Sequence, residues 1–82
     1  MNSYRIAYDP IAEKQLTAVP DRRRTRFLKT LGSTVARDPY GHRSTSVGGD
    51  RDRRDATVEG IIIRYYVSGS VLTITIVRLL AV

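Results

Sequence analysis

The chain has 82 residues, enough for a single domain over 1–82 and close to the lower size limit for a self-supporting core. With no cysteine and one histidine, it excludes a disulfide scaffold, thiol chemistry, the usual zinc finger and a His–His metal pair, so neither metal nor cofactor is expected. Fourteen Lys and Arg against eight Asp and Glu give a net charge of +6, and twelve of the fourteen are Arg, whose planar fork matches phosphate oxygens in pairs; the charge suits a polyanionic partner or serves only to keep the protein soluble.

No apolar run approaches the roughly 20 residues needed to cross a bilayer. The opening MNSYRIAYDP lacks the basic-then-apolar order of a secretory signal. A cytoplasmic protein with no membrane contact is therefore expected.

Tyr4 to Tyr8 reads as a short strand. Asp9-Pro10 ends it and starts a helix, because Asp caps and Pro suits the first turn. This helix runs to Ala18, with Ile11, Leu16 and Val19 as its apolar side. Pro20-Asp21 repeats the punctuation, with Asp21 as the expected cap of a second helix. Phe27, Leu28, Leu31 and Val35 form its apolar stripe. Asp38-Pro39 stops it. Tyr40 to Asp50 is rich in Gly, Ser and Thr and reads as a loop, closed by Gly48-Gly49.

A weak strand is expected from Arg53 to Glu59, then a turn at Gly60. Ile61–Val67 and Val71–Leu80 are the strongest strands, joined by Ser68-Gly69-Ser70. The expected class is α+β: an N-terminal strand, a two-helix hairpin, then a three-stranded antiparallel meander, with the helices on one face of the sheet.

Alternation sorts the side chains by face. Ile61, Ile63, Tyr65 and Val67 share one side of their strand; Ile62, Arg64 and Tyr66 share the other. A mid-strand arginine is expensive to bury, so the Arg64 side of the sheet should be open. In the last strand Leu72, Ile74 and Ile76 form one face, and Thr73, Thr75 and Val77 the other.

Several segments together carry a resemblance: YRIAYDPIAEKQL, the corner AVPDRRR, DPYG, GGDRDRR and the closing GIIIRYYVSGSVLTITIVRL. In this succession they resemble the RelE/ParE superfamily of bacterial toxins over nearly the whole chain. The resemblance implies the toxin of a type II toxin–antitoxin module, silenced by a cognate antitoxin protein. Promoter DNA would be bound only through the antitoxin complex.

RelE-like members cut messenger RNA on the ribosome without a metal; ParE-like members poison DNA gyrase. The family's central-strand arginine falls on Ile62, with Arg64 two residues later on the same face. The family's basic tail has no counterpart before Val82. The first reading is an mRNA endoribonuclease (mRNA interferase) that inhibits translation, with Arg53, Arg64 and Arg78 as its catalytic set. The alternatives are a non-enzymatic gyrase poison, or an inactive homologue that only binds its antitoxin.

Further candidates concern RNA or partner binding. Arg22, Arg23, Arg24 and Arg26 crowd the start of a helix, where positive charge opposes the dipole; they suit either phosphate or acidic partners, or form a solvated face. Of these, Arg22, Arg23 and Arg26 are the binding candidates. Arg51 and Arg54 lie in an Asp/Arg alternation that either pairs internally or meets a ligand. Tyr66 shares its face with Arg64. His42 is a loop histidine that titrates near neutral pH. Leu79, Leu80 and Val82 form an apolar end, packed in the domain or covered by the antitoxin.

Overall fold

In the computed structural model, which describes residues 3–41 and 43–81, the chain runs strand, helix, helix and then four further strands. His42 and Val82 lie outside the described residues. The elements are β1 (Arg5–Tyr8), α1 (Pro10–Thr17), α2 (Asp21–Ser33), β2 (Thr45–Val47), β3 (Asp50–Val58), β4 (Ile61–Ser68) and β5 (Thr73–Ala81). They build one five-stranded sheet in the order β1-β5-β4-β3-β2. β1 runs parallel to β5 and every other pairing is antiparallel.

The expected α+β class, the helical hairpin and the meander β3–β4–β5 are all present. Asp9 caps α1 through Oδ1, which accepts from the Ile11 N–H at 3.1 Å. Asp21 does not cap α2. Pro20 holds that position and Asp21 is the first helical residue. Its carboxylate pairs with Arg24 at 2.5 Å instead. Arg24 also donates Nη1 to the carbonyls of Thr17 at 3.3 Å and Val19 at 3.0 Å. These are orphan acceptors at the end of α1, so one arginine ties the helical corner.

Ala12, Val19, Phe27, Leu31 and Val35 from the helical layer pack on Ile61, Ile63, Tyr65, Val67, Ile74, Ile76 and Leu79 from the sheet. Removing the Phe27 ring, which is fully buried, would cost about 3–5 kcal/mol in lost transfer energy and cavity. Ile11 and Leu28 do not join this core; both are exposed. Each belongs to a helix that buries only a narrow stripe. Within α2 that stripe keeps Phe27 and Leu31, four residues apart.

The expected loop over 40–50 contains β2, which pairs with β3 and makes the meander part of a wider sheet. Gly48 and Gly49, with φ of +60° and +77°, make the tight β2–β3 turn. β3 accordingly begins at Asp50, earlier than the Arg53 expected. The β4–β5 connection also extends past the expected Ser68-Gly69-Ser70, and β5 starts at Thr73 and not Val71: a 3-10 turn spans Gly69–Val71, and Leu72 takes a left-handed φ of +47°. Leu72 therefore leaves the strand and stands partly exposed instead of joining Ile74 and Ile76.

Candidate functional site

The helices leave one sheet face uncovered, and the strand registers lay it out in rows. Arg53 of β3 lies opposite Tyr66 of β4, which lies opposite Thr75 of β5. In the next row stand Asp55, Arg64 and Arg78. Beyond it come Thr57, Ile62 and Leu80. Arg53, Arg64 and Arg78, expected together from the sequence, are thus brought onto one face by three different strands.

Arg78 reaches this face through an irregularity. Tyr65 pairs with Ile76 but Arg64 pairs with Arg78, so Val77 is an extra residue in β5. A bulge of this kind shifts the alternation by one. It sends Leu79 into the core, 3% exposed, and leaves Arg78 outside.

Arg64 is not free. Its Nε donates to Asp55 Oδ1 at 2.8 Å and its Nη2 to Oδ2 at 3.0 Å, a bidentate pair on the open face. Both side chains keep about a third or more of their surface in water, 40% and 34%. The hydrogen bonds from Arg64 hold the Asp55 carboxyl below the usual carboxylate range, so it is ionised at neutral pH. The guanidinium of Arg53 stands over the Tyr66 ring, 5.4 Å from its centre. Its Nε is buried and has no hydrogen-bond partner among the described residues.

Arg54 points to the other side of the sheet. It donates to Ser44 Oγ at 2.8 Å, to the Arg51 carbonyl at 2.9 Å, and to the carbonyls of Ser44 and Tyr40 at 3.1 and 3.3 Å. It is a clamp that pins Tyr40 and Ser44, and β2 after them, to β3. Arg51 stacks on the Tyr40 ring at 4.5 Å, whose hydroxyl donates to Asp52 at 2.7 Å. Burial raises the Tyr65 hydroxyl pKa, and that hydroxyl donates to the Pro39 carbonyl at 2.6 Å.

Arg22, Arg23 and Arg26 belong to the helical layer. They line a shallow depression of about 340 Å³ with Pro20 and Glu59, and Arg23 donates to the Gly60 carbonyl at 3.3 Å. They do not join the open face.

Sequence reasoning missed Asp55 and Gln15. The β3–β4 register was the observation needed for Asp55, because it sets which acid meets Arg64. Gln15 carried no signal in the sequence. Its Oε1 accepts from the Leu79 N–H at 2.8 Å, where β5 runs past the end of β1. Among the described residues no group of three or more His, Asp or Glu is placed to hold a metal ion. No helix there is long and apolar enough to cross a membrane.

Solved structures carry the same architecture. The RelBE2 toxin–antitoxin complex of Mycobacterium tuberculosis includes a chain that matches with a TM-score of 0.81 at 16% identity, over 96% of this chain and 91% of that one. This chain has the RelE fold. The isolated RelE toxin of E. coli matches with a TM-score of 0.77 at 17% identity, covering 96% and 84% of the two chains. The archaeal RelE–RelB complex of Pyrococcus horikoshii matches with 0.73 at 21%, covering 98% and 96%. No protein-family model matches the chain, and no curated protein does. The RelE likeness thus lies in three-dimensional structure at low sequence identity.

Proposed function

We propose that the chain is the toxin of a type II toxin–antitoxin module, acting in the cytoplasm by ribosome-dependent cleavage of messenger RNA. The observation that carries this reading is the arginine set Arg53, Arg64 and Arg78 on one uncovered sheet face of a RelE fold. In the reaction the ribose 2′-oxygen attacks the adjacent phosphorus, its proton leaves, and the 5′-oxygen departs with a proton. Negative charge grows on the phosphate oxygens meanwhile. Preorganised guanidiniums stabilise that charge, and a partly desolvated face strengthens the effect. The ribosome orients the RNA. The antitoxin partner is supported by two of the structural neighbours, the toxin–antitoxin complex RelBE2 and the archaeal RelE–RelB complex. Promoter DNA contact belongs to such a complex and not to this chain alone.

Expression of the chain alone, with mapping of RNA ends, tests the reading. New ends inside translated messages are expected. Growth arrest with intact messages removes the nuclease.

A second reading has its own observation. A general base is most useful with a pKa near the working pH. Asp55, the carboxylate of this face, is instead held low by Arg64. That favours a face that binds without cutting, as a non-enzymatic poison of DNA gyrase would. Inhibited supercoiling in vitro and accumulated broken DNA would select this reading. Absence of any growth defect would leave a homologue that only pairs with its antitoxin.

A further inference from the structure

The row Asp55–Arg64–Arg78 places two guanidiniums on neighbouring strands. Like charges directly opposed across strands are destabilising. Asp55 compensates Arg64. Arg78 has no carboxylate partner among the described residues, and its hydrogen bond there goes from Nη1 to the Val77 carbonyl at 2.7 Å. Beyond Arg78 sits Gln15 of α1. Because Gln15 Oε1 accepts from the Leu79 N–H, its amide NH2 is turned away from that bond and donates to nothing among the described residues. Gln15, Arg64 and Arg78 line one depression of about 310 Å³, closed at one side by Asp55 and rimmed by Ile62 and Leu80. The polar groups other than Asp55 are donors.

We infer that this depression is an oxyanion site for one phosphate group, built from Arg64, Arg78 and the Gln15 amide, with Asp55 as an internal rival that holds Arg64 until the ligand arrives. The two Asp55 oxygens take the place at Arg64 that two phosphate oxygens would take, since a guanidinium fork accepts either anion in the same bidentate way. Binding then means exchange of one anion for another at Arg64, together with a new partner for Arg78. Only the source of the phosphate, an RNA backbone, rests on the function proposed above.

Titration of the full chain with inorganic phosphate, followed by NMR at the Arg64 and Arg78 Nε–H and the Gln15 amide, tests the site. All three signals should move together with one dissociation constant. Asp55→Asn should tighten binding about fivefold, the scale of one exposed ion pair removed from competition. Gln15→Glu keeps the acceptor for Leu79 but replaces the donor with a negative charge, and should weaken binding by more than tenfold. Should either variant unfold, Asp55→Ser and Gln15→Met serve in its place. Unchanged affinity in the Asp55 variant, or signals that move independently, overturns the inference. A short 2′-O-methyl RNA, which cannot be cut, should compete with phosphate for the same three signals. If phosphate behaves as stated and the RNA does not compete, the oxyanion site stands and the nuclease falls.

Discussion

Arg78 stands opposite Arg64 only because Val77 is squeezed out of the β5 ladder. With unbroken alternation, Val77 would face Arg64, and Arg78 would point among Ile63, Tyr65 and Ile76. A charge there would be desolvated without a partner. The bulge therefore does two things at once: it keeps Leu79 in the core and delivers a third arginine to the open face.

Arg64→Ala should abolish growth arrest while costing no more than about 1 kcal/mol of stability, because the pair it forms with Asp55 keeps a third or more of its surface in water. Toxicity assays on cells and urea unfolding of the purified variant check both halves. A folded, fully toxic Arg64→Ala protein would place the activity on another surface.

Arg53 and Arg54 are adjacent but should behave oppositely. Arg54→Ala removes four hydrogen bonds and strands the partly buried carbonyls of Ser44 and Tyr40. A loss of about 2–3 kcal/mol is expected. Arg54→Lys should rescue little of it, since an ammonium cannot reproduce the planar fork. Arg53→Ala should cost less than about 1 kcal/mol, because its Nε makes no hydrogen bond among the described residues. Chemical denaturation of the three variants decides this.

The Tyr65 hydroxyl predicts behaviour in alkali. Burial raises its pKa, so the folded chain keeps the proton above about pH 10, where an unfolded tyrosine gives it up. The resulting stabilisation is complete below about pH 10 and is lost as pH rises toward the folded value. Tyr65→Phe should destabilise the chain by about 1–2 kcal/mol at neutral pH by orphaning the Pro39 carbonyl. It should also make the alkaline loss of stability shallower by one proton. It should not flatten it, because burial also raises Tyr8. Unfolding free energies from pH 7 to 11 give both numbers.

On the acid side the sign reverses. Asp55 has its pKa lowered by Arg64, so its contribution is present above about pH 4 and fades as pH falls through the folded value. Asp55→Asn should remove that part of the acid dependence. A carboxyl ¹³C titration of Asp55 should show a midpoint below about 3.9, and Arg64→Ala should restore it.

The sequence exposed those features that depend on short-range pattern. Alternation in IIIRYYV separated the buried Ile61, Ile63 and Tyr65 from Ile62, Arg64 and Tyr66, and Asp9-Pro10 marked a helix start. The hidden features depend on long-range pairing. Thr45–Val47 is three residues of ordinary polarity, and becomes a strand only because β3 and the Arg54 clamp hold it. The Val77 bulge and the left-handed Leu72 leave no local mark, since neither residue type favours the conformation it takes. The partner of Arg64 follows from register alone. Asp21 looked like a cap because its side chain suits that role, but Arg24 claims it.

The parallel pairing of β1 with β5 joins Arg5 to Thr73, almost the two ends of the molecule. β1 can therefore enter the sheet only beside β5, a strand far from it in sequence. Without β5 the molecule lacks Arg78, the core residues Ile74, Ile76 and Leu79, and the neighbour of β1. The open cationic face, with Arg53, Arg64 and Arg78 in their rows, thus exists only once β5 has closed the sheet between β4 and β1.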